Sequence, residues 1–142
     1  MSRTFSTIAD RRKRGTYDVL LELRPITAAA IAATTNETGI EFASRKCAQF
    51  KVCFALAAYT GYVASSAEWI INVAVSATLG GTYTTVASVA ASVAAGAALE
   101  TSLVIGSNLV ASIVPAAEFI RVSAVRVGAS GNLSYSAWIT DV

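Results

Sequence analysis

Trp69-Ile70-Ile71-Asn72-Val73-Ala74-Val75-Ser76, read together with Phe50-Lys51-Val52-Cys53-Phe54-Ala55-Leu56, decides the fold class. Successive side chains on a strand point to opposite faces. Trp69, Ile71, Val73 and Val75 therefore share one face, opposite Ile70, Asn72, Ala74 and Ser76. In the second stretch Phe50, Val52, Phe54 and Leu56 share a face, with Lys51 and Cys53 on the other. A period of two in β-branched and aromatic residues is the mark of half-buried strands. Phe50, Phe54 and Trp69 are the expected core anchors of these two strands.

Working outward, Leu79-Gly80-Gly81-Thr82 reads as a turn, because paired glycines can take positive φ at little steric cost. Tyr83-Thr84-Thr85-Val86-Ala87-Ser88-Val89 then returns, which predicts a β-hairpin. Gly96 marks a break, residues 100–105 a short strand, and Gly106-Ser107-Asn108 a turn. Residues 109–114 form another short piece ended by Pro115. Residues 118–127 and 133–139 read as two further strands, expected to pair across the turn at 128–132, with Phe119 and Trp138 as core anchors. Seven or eight short strands and no long helix predict an all-β protein: an antiparallel β-sandwich of jelly-roll or immunoglobulin-like kind.

At 142 residues, one domain is expected. Six of the eleven cations fall in residues 1–24, namely Arg3, Arg11, Arg12, Lys13, Arg14 and Arg24. This predicts a basic, extended N-terminal arm over residues 1–24 and a sandwich body over residues 25–142. Residues 16–35 leave strand and helical turn both open, and the alanine-rich run at 26–33 suits a short helix.

Composition removes several function classes. The chain has no histidine, the usual acid, base and metal ligand near neutral pH. Serine is plentiful, yet no Gly-x-Ser-x-Gly elbow appears. Glu100 and Glu118 stand in a long uncharged region, but nothing in the sequence brings them together, so solvated charges are expected. Cys47 and Cys53, six apart in an extended segment, would lie about 20 Å from each other, beyond disulfide reach. They read as free thiols from a reducing compartment. The expectation is a non-enzyme without cofactor or metal.

A net charge of +2 is too small for the footprint of a nucleic-acid binder. The longest apolar window, residues 86–99, falls short of the roughly 20 residues needed to cross a bilayer. Neither nucleic acid nor membrane is an expected partner. The basic run follows the N-terminal residues without the order of a secretory signal, which points to synthesis in the cytoplasm. For Arg3, Arg11, Arg12, Lys13 and Arg14 the preferred reading is docking on acidic protein surface through paired guanidinium–carboxylate contacts. A solvated arm and phosphate binding are the other two. Tyr59-Thr60-Gly61-Tyr62 reads as a loop tip, with Tyr59 and Tyr62 as contact residues for a partner or a sugar.

Only 14% of residues are charged and 54% are hydrophobic. Between Val52 and Ile120 no lysine guards a strand edge from pairing with another chain. Burial of this apolar excess between protomers predicts a homo-oligomer.

The order of several pieces adds a family. Tyr17-Asp18 with Leu21-Glu22-Leu23, Asn36-Glu37-Thr38-Gly39-Ile40, Phe50-Lys51-Val52, residues 69–76, Thr82-Tyr83-Thr84-Thr85-Val86-Ala87, Ala117-Glu118-Phe119-Ile120-Arg121-Val122 and Tyr135-Ser136-Ala137-Trp138-Ile139-Thr140 follow one another. Together they resemble the capsid cement, or decoration, proteins of tailed bacteriophages over about residues 16–142. The resemblance implies a jelly-roll-like body, a homotrimer on the outer face of the virion head, the major capsid protein as partner, and arms reaching over neighbouring subunits. The alternative is a carbohydrate-binding β-sandwich module of a tail or fibre.

Overall fold

The computed structural model describes residues 21–42, 49–90 and 96–140. Residues 1–20 and 43–48, which hold the five arm cations Arg3, Arg11, Arg12, Lys13 and Arg14 as well as Cys47, lie outside the described residues. The strands are β1 (Glu22–Arg24), β2 (Thr35–Asn36), β3 (Ile40–Glu41), β4 (Gln49–Leu56), β5 (Glu68–Ser76), β6 (Thr84–Ala90), β7 (Leu99–Gly106), β8 (Phe119–Val127) and β9 (Tyr135–Thr140). One helix, α1 (Ser107–Ile113), interrupts them.

The strands form two packed antiparallel sheets, an all-β sandwich. The first has the order β1-β9-β4-β7, and the second β2-β8-β5-β6, with β3 also on β8. The pairing has a simple rule: the chain folds back on itself about residue 80. Ile71 pairs with Val89, each nine positions from residue 80; Ile40 with Ile120, each forty; and Glu22 with Trp138, each fifty-eight. This long hairpin is then wrapped so that β9 lies against β4 and β8 against β5. With β2 and β3 sharing one place beside β8, the order is that of a jelly roll rather than an immunoglobulin domain.

Alternation along the central strands builds the core. Trp69, Ile71, Val73 and Val75 are fully buried, and Phe50, Val52, Phe54 and Leu56 face them from the first sheet. On β8 and β9, Ile120, Val122 and Ala124 and then Tyr135, Ala137 and Ile139 also point inward. Cys53, on the outer face of β4, is a free thiol whose burial pushes its pKa up.

Several expectations are corrected. β8 and β9 do not pair with each other; the turn between them carries the chain from the second sheet to the first. Residues 107–113 are helical, because Val110 and Val114, one turn apart, pack on the core, with Val110 almost wholly buried. The alanine-rich run at 26–33 is no helix: Ala28 N–H donates to Pro25 O in a turn, and Ile31 bridges to Leu133. Glu22–Arg24, assigned to the arm, is a strand of the first sheet. Neither Gly80 nor Gly81 takes positive φ; Gly61, Gly96 and Gly128 do.

Gly128 sets the crossover between the sheets. Its φ is +67°, and a Cβ there would collide with the Ser66 carbonyl oxygen. Gly80 has open space around it. Gly128→Ala is therefore expected to lower the unfolding free energy by about 2–4 kcal/mol, and Gly80→Ala to change it by less than about 0.5 kcal/mol. Urea titration measures both, and equal effects would contradict the assignment of strain to the crossover.

Candidate functional site

Two arginines close one end of the sandwich, where the 25–34 and 128–134 connections meet. Arg24 ends β1 with only 2% of its surface exposed. Its Nε donates to Glu37 Oε2 at 3.2 Å, and its other guanidinium nitrogens donate to the carbonyl oxygens of Tyr135 and Ala29. The guanidinium carbon also sits 4.5 Å from the Tyr135 ring centroid. A buried cation needs such a full set of acceptors. One side chain thus ties β1, the 25–37 connection and β9 together.

At the same end, Arg126 Nε and Nη2 donate to Ser130 O, Nη1 donates to Ala32 O, and the Arg126 backbone N–H donates to Thr34 Oγ1. Trp69 Nε1 donates to Gly131 O in the same turn at 2.8 Å. These contacts pin residues 128–131 and 31–34 over the buried indole.

The expected site residues separate into two groups. Phe50, Phe54 and Trp69 are core residues as expected. Phe119 and Trp138 are half-buried on outer faces, because Phe119 pairs with Ser76 and Trp138 with Cys53. Their parity gives the reason: Ile120 on β8, and Ala137 with Ile139 on β9, take the inward positions. Tyr59 is not a surface contact either. It is 93% buried, at 7% exposure, and Tyr62 is half-buried edge-on to it, ring centroids 6.5 Å apart. Gly96 draws this loop inward: Tyr59 N–H donates to Gly96 O, and a Cβ on Gly96 would press on Tyr59 O and Tyr62 Cβ. Glu100 is exposed on β7 of the first sheet, and Glu118 is exposed just before β8 of the second.

Two surfaces remain that can meet a partner. On one flank, β7 is the edge of the first sheet among the described residues, and α1 packs against both β6 and β7. Val104 (54% exposed), Leu109 (44%) and Ile113 (37%) are all exposed on this flank. β7 carries only Glu100 as a charge. On the outer face of the second sheet, register aligns Asn36, Ser123, Asn72 and Ser88 in one row across four strands. Beside that row Arg121 stacks on Tyr83, 4.1 Å from its ring centroid, with its Nε buried and without a hydrogen-bond partner among the described residues. A groove of about 420 Å³ opens beside Glu100, Leu99, Ile26 and Ser136 at the end of the first sheet.

Among the described residues no three His, Cys, Asp or Glu side chains gather as a metal site, and no helix is long and apolar enough to cross a membrane. No protein-family model matches the chain, and comparison with curated proteins gives no match.

The Arg24 cluster carries two tests. Arg24→Ala removes a charge-assisted clamp and strands the half-buried Glu37, an expected loss of about 2–4 kcal/mol; Arg24→Lys should recover little, since one ammonium cannot reach all three acceptors. The second concerns Tyr135, whose hydroxyl is buried without a hydrogen-bond partner among the described residues. Burial, reinforced by Glu37, pushes its pKa far above the ordinary phenol value. The unfolded chain ionises as pH passes about 10 while the folded one stays protonated, so this group's share of stability is lost as pH rises from there. Tyr135→Phe should keep or raise stability at pH 7 and flatten that alkaline loss in denaturation curves; an unchanged slope would contradict the assignment.

Proposed function

We propose that this chain is a non-enzymatic structural protein of a tailed-phage virion, a cement protein on the outer surface of the icosahedral head. Its body contacts the major capsid protein and its own copies, as a homotrimer, and the arm carrying Arg3, Arg11, Arg12, Lys13 and Arg14 reaches a neighbouring capsid subunit. The observation that carries this reading is the β7–α1 flank. An edge strand with one charge, beside exposed Val104, Leu109 and Ile113, is a liability on a free monomer and an asset at an interface. The resemblance to cement proteins and the jelly-roll strand order, which recurs in virion domains, support it as well.

The mechanism is linkage. A protein that binds only the assembled shell lowers the free energy of that state, so loss of capsomers becomes harder as occupancy rises. Core-like contacts at the flank supply area, and the arm supplies charge-assisted hydrogen bonds to carboxylates.

Two variants check the parts separately. Changing Arg11, Arg12, Lys13 and Arg14 together to Ser should reduce occupancy on heads and weaken its dependence on salt while leaving the melting temperature unchanged; wild-type attachment that ignores salt would count against the arm. Val104→Asp with Ile113→Asp should reduce self-association in analytical ultracentrifugation; an unchanged sedimentation profile would remove the flank from the assembly.

A further inference from the structure

We propose that, in the free protein, the groove beside Glu100 takes up a cationic side chain of the chain's own basic run, Arg11-Arg12-Lys13-Arg14, and withholds that run from the shell. The groove then regulates the arm, which rests on the reading above that this run docks on capsid carboxylates. The row Ser136–Ala55–Glu100 crosses β9, β4 and β7 in register. Small side chains at Ser136 and Ala55 leave the depression of about 420 Å³, bounded by Leu99 and by Ile26, which is 79% exposed. Glu100 is exposed and is the only charged residue among those lining the groove.

That lining sets the chemistry of the occupant. Apolar walls with one carboxylate at the rim suit a side chain that carries a cationic head on a methylene stem, because the stem covers apolar surface while the head stays near water. A guanidinium meets a carboxylate through two parallel hydrogen bonds. An anion would be repelled by Glu100, and a neutral apolar group would leave that charge unmatched. The basic run supplies four heads of the required sign in consecutive positions.

The length of the arm and the place where it joins the body allow the contact within one copy. Residues 1–20 precede Leu21, which leads into Glu22 on β1, at the edge of the same sheet. Register carries Glu22 to Trp138, Cys53 and Ser102 in one row across the sheet, and Glu100 lies two residues along β7 from Ser102. Three steps between strands and two along one give about 16 Å from Glu22 to Glu100, while the eight residues from Arg14 to Glu22 span up to about 26 Å. Charge on this face points the same way. Lys51, paired with Val104 and Thr140, stands toward the end where the chain enters, and Glu100 stands toward the other. Cations are thus repelled from one end of the face and attracted to the other. An exposed ion pair is weak, so carboxylates on the shell can displace it. The arm's apparent affinity for the shell is reduced by the fraction of runs held in the groove.

The test compares backbone amide NMR spectra of the full chain with those of the variant in which Arg11, Arg12, Lys13 and Arg14 are all Ser. Differences at residues 98–100 and 134–136 are expected, and Glu100→Gln should abolish them with an unchanged melting temperature. Carbodiimide coupling of a mixture of ¹⁴N and ¹⁵N protein should join Lys13 to Glu100 within one isotope only. On heads assembled without this protein, Glu100→Gln should then raise apparent affinity about two- to fivefold. Identical spectra at those amides, links between isotopes, or wild-type affinity of Glu100→Gln would each overturn the proposal. The two readings fail separately: loss of the groove contact leaves the occupancy defect of the four-Ser variant in place, whereas wild-type occupancy of that variant removes shell docking and leaves the spectral differences to report the groove.

Discussion

Antiparallel pairing about residue 80 is the constraint on which the rest of the structure depends. Once Leu79-Gly80-Gly81-Thr82 turns the chain, β5 meets β6, and each earlier strand can find its partner at nearly the same distance on the other side. The contacts are long-range, and the loop-closure cost grows only slowly with separation. What fixes the register is burial. A slip by one residue would turn Trp69, Ile71, Val73 and Val75 to solvent and bring Ile70 and Asn72 into the core. Wrapping the hairpin then places β4, β5, β8 and β9 at the centre and leaves β6 and β7 as neighbouring edges, with Val110 of α1 filling the gap between them.

The same wrapping explains where polar groups go. Two sheets closed along one flank by a helix still have open ends, and at the one where the 25–34 and 128–134 connections meet, Arg24 and Arg126 supply forked donors to carbonyl oxygens. Guanidinium suits this task because it reaches several acceptors at once from a planar, weakly hydrated head. The outer faces then diverge. The first sheet carries Cys53, Trp138 and Val104 outward, and the second carries the Asn and Ser row. The first sheet's outer face mixes these with Lys51, Ser102 and Glu100, so its apolar exposure is confined to the β7–α1 flank.

Much of this was legible in the sequence because strand alternation is a local signal. The 50–56 and 69–76 faces and the all-β class follow from parity, and the glycine pair marked the place of the hairpin at 79–82 although neither glycine takes the positive φ expected of it. Parity also held the answer for Phe119 and Trp138, which share it with Arg121 and with Ser136, but size drew attention away from neighbours. Tyr59 resembled a loop-tip residue because the inward pull comes from Gly96, distant in sequence. The helix at 107–113 hid in a segment too short for its period to outweigh flanking strand signals. Arg24 looked like the end of a basic arm; only the fold brings Glu37, Ala29 and Tyr135 around it. The polar row was invisible for the same reason, since its members come from four strands.

The most direct measurement of the central functional claim is the copy number of this protein relative to the major capsid protein in purified particles, by quantitative mass spectrometry, with antibody labelling to locate it. A ratio near one, with label over the whole head, is the expected result for a shell cement. A few copies confined to the tail would contradict it.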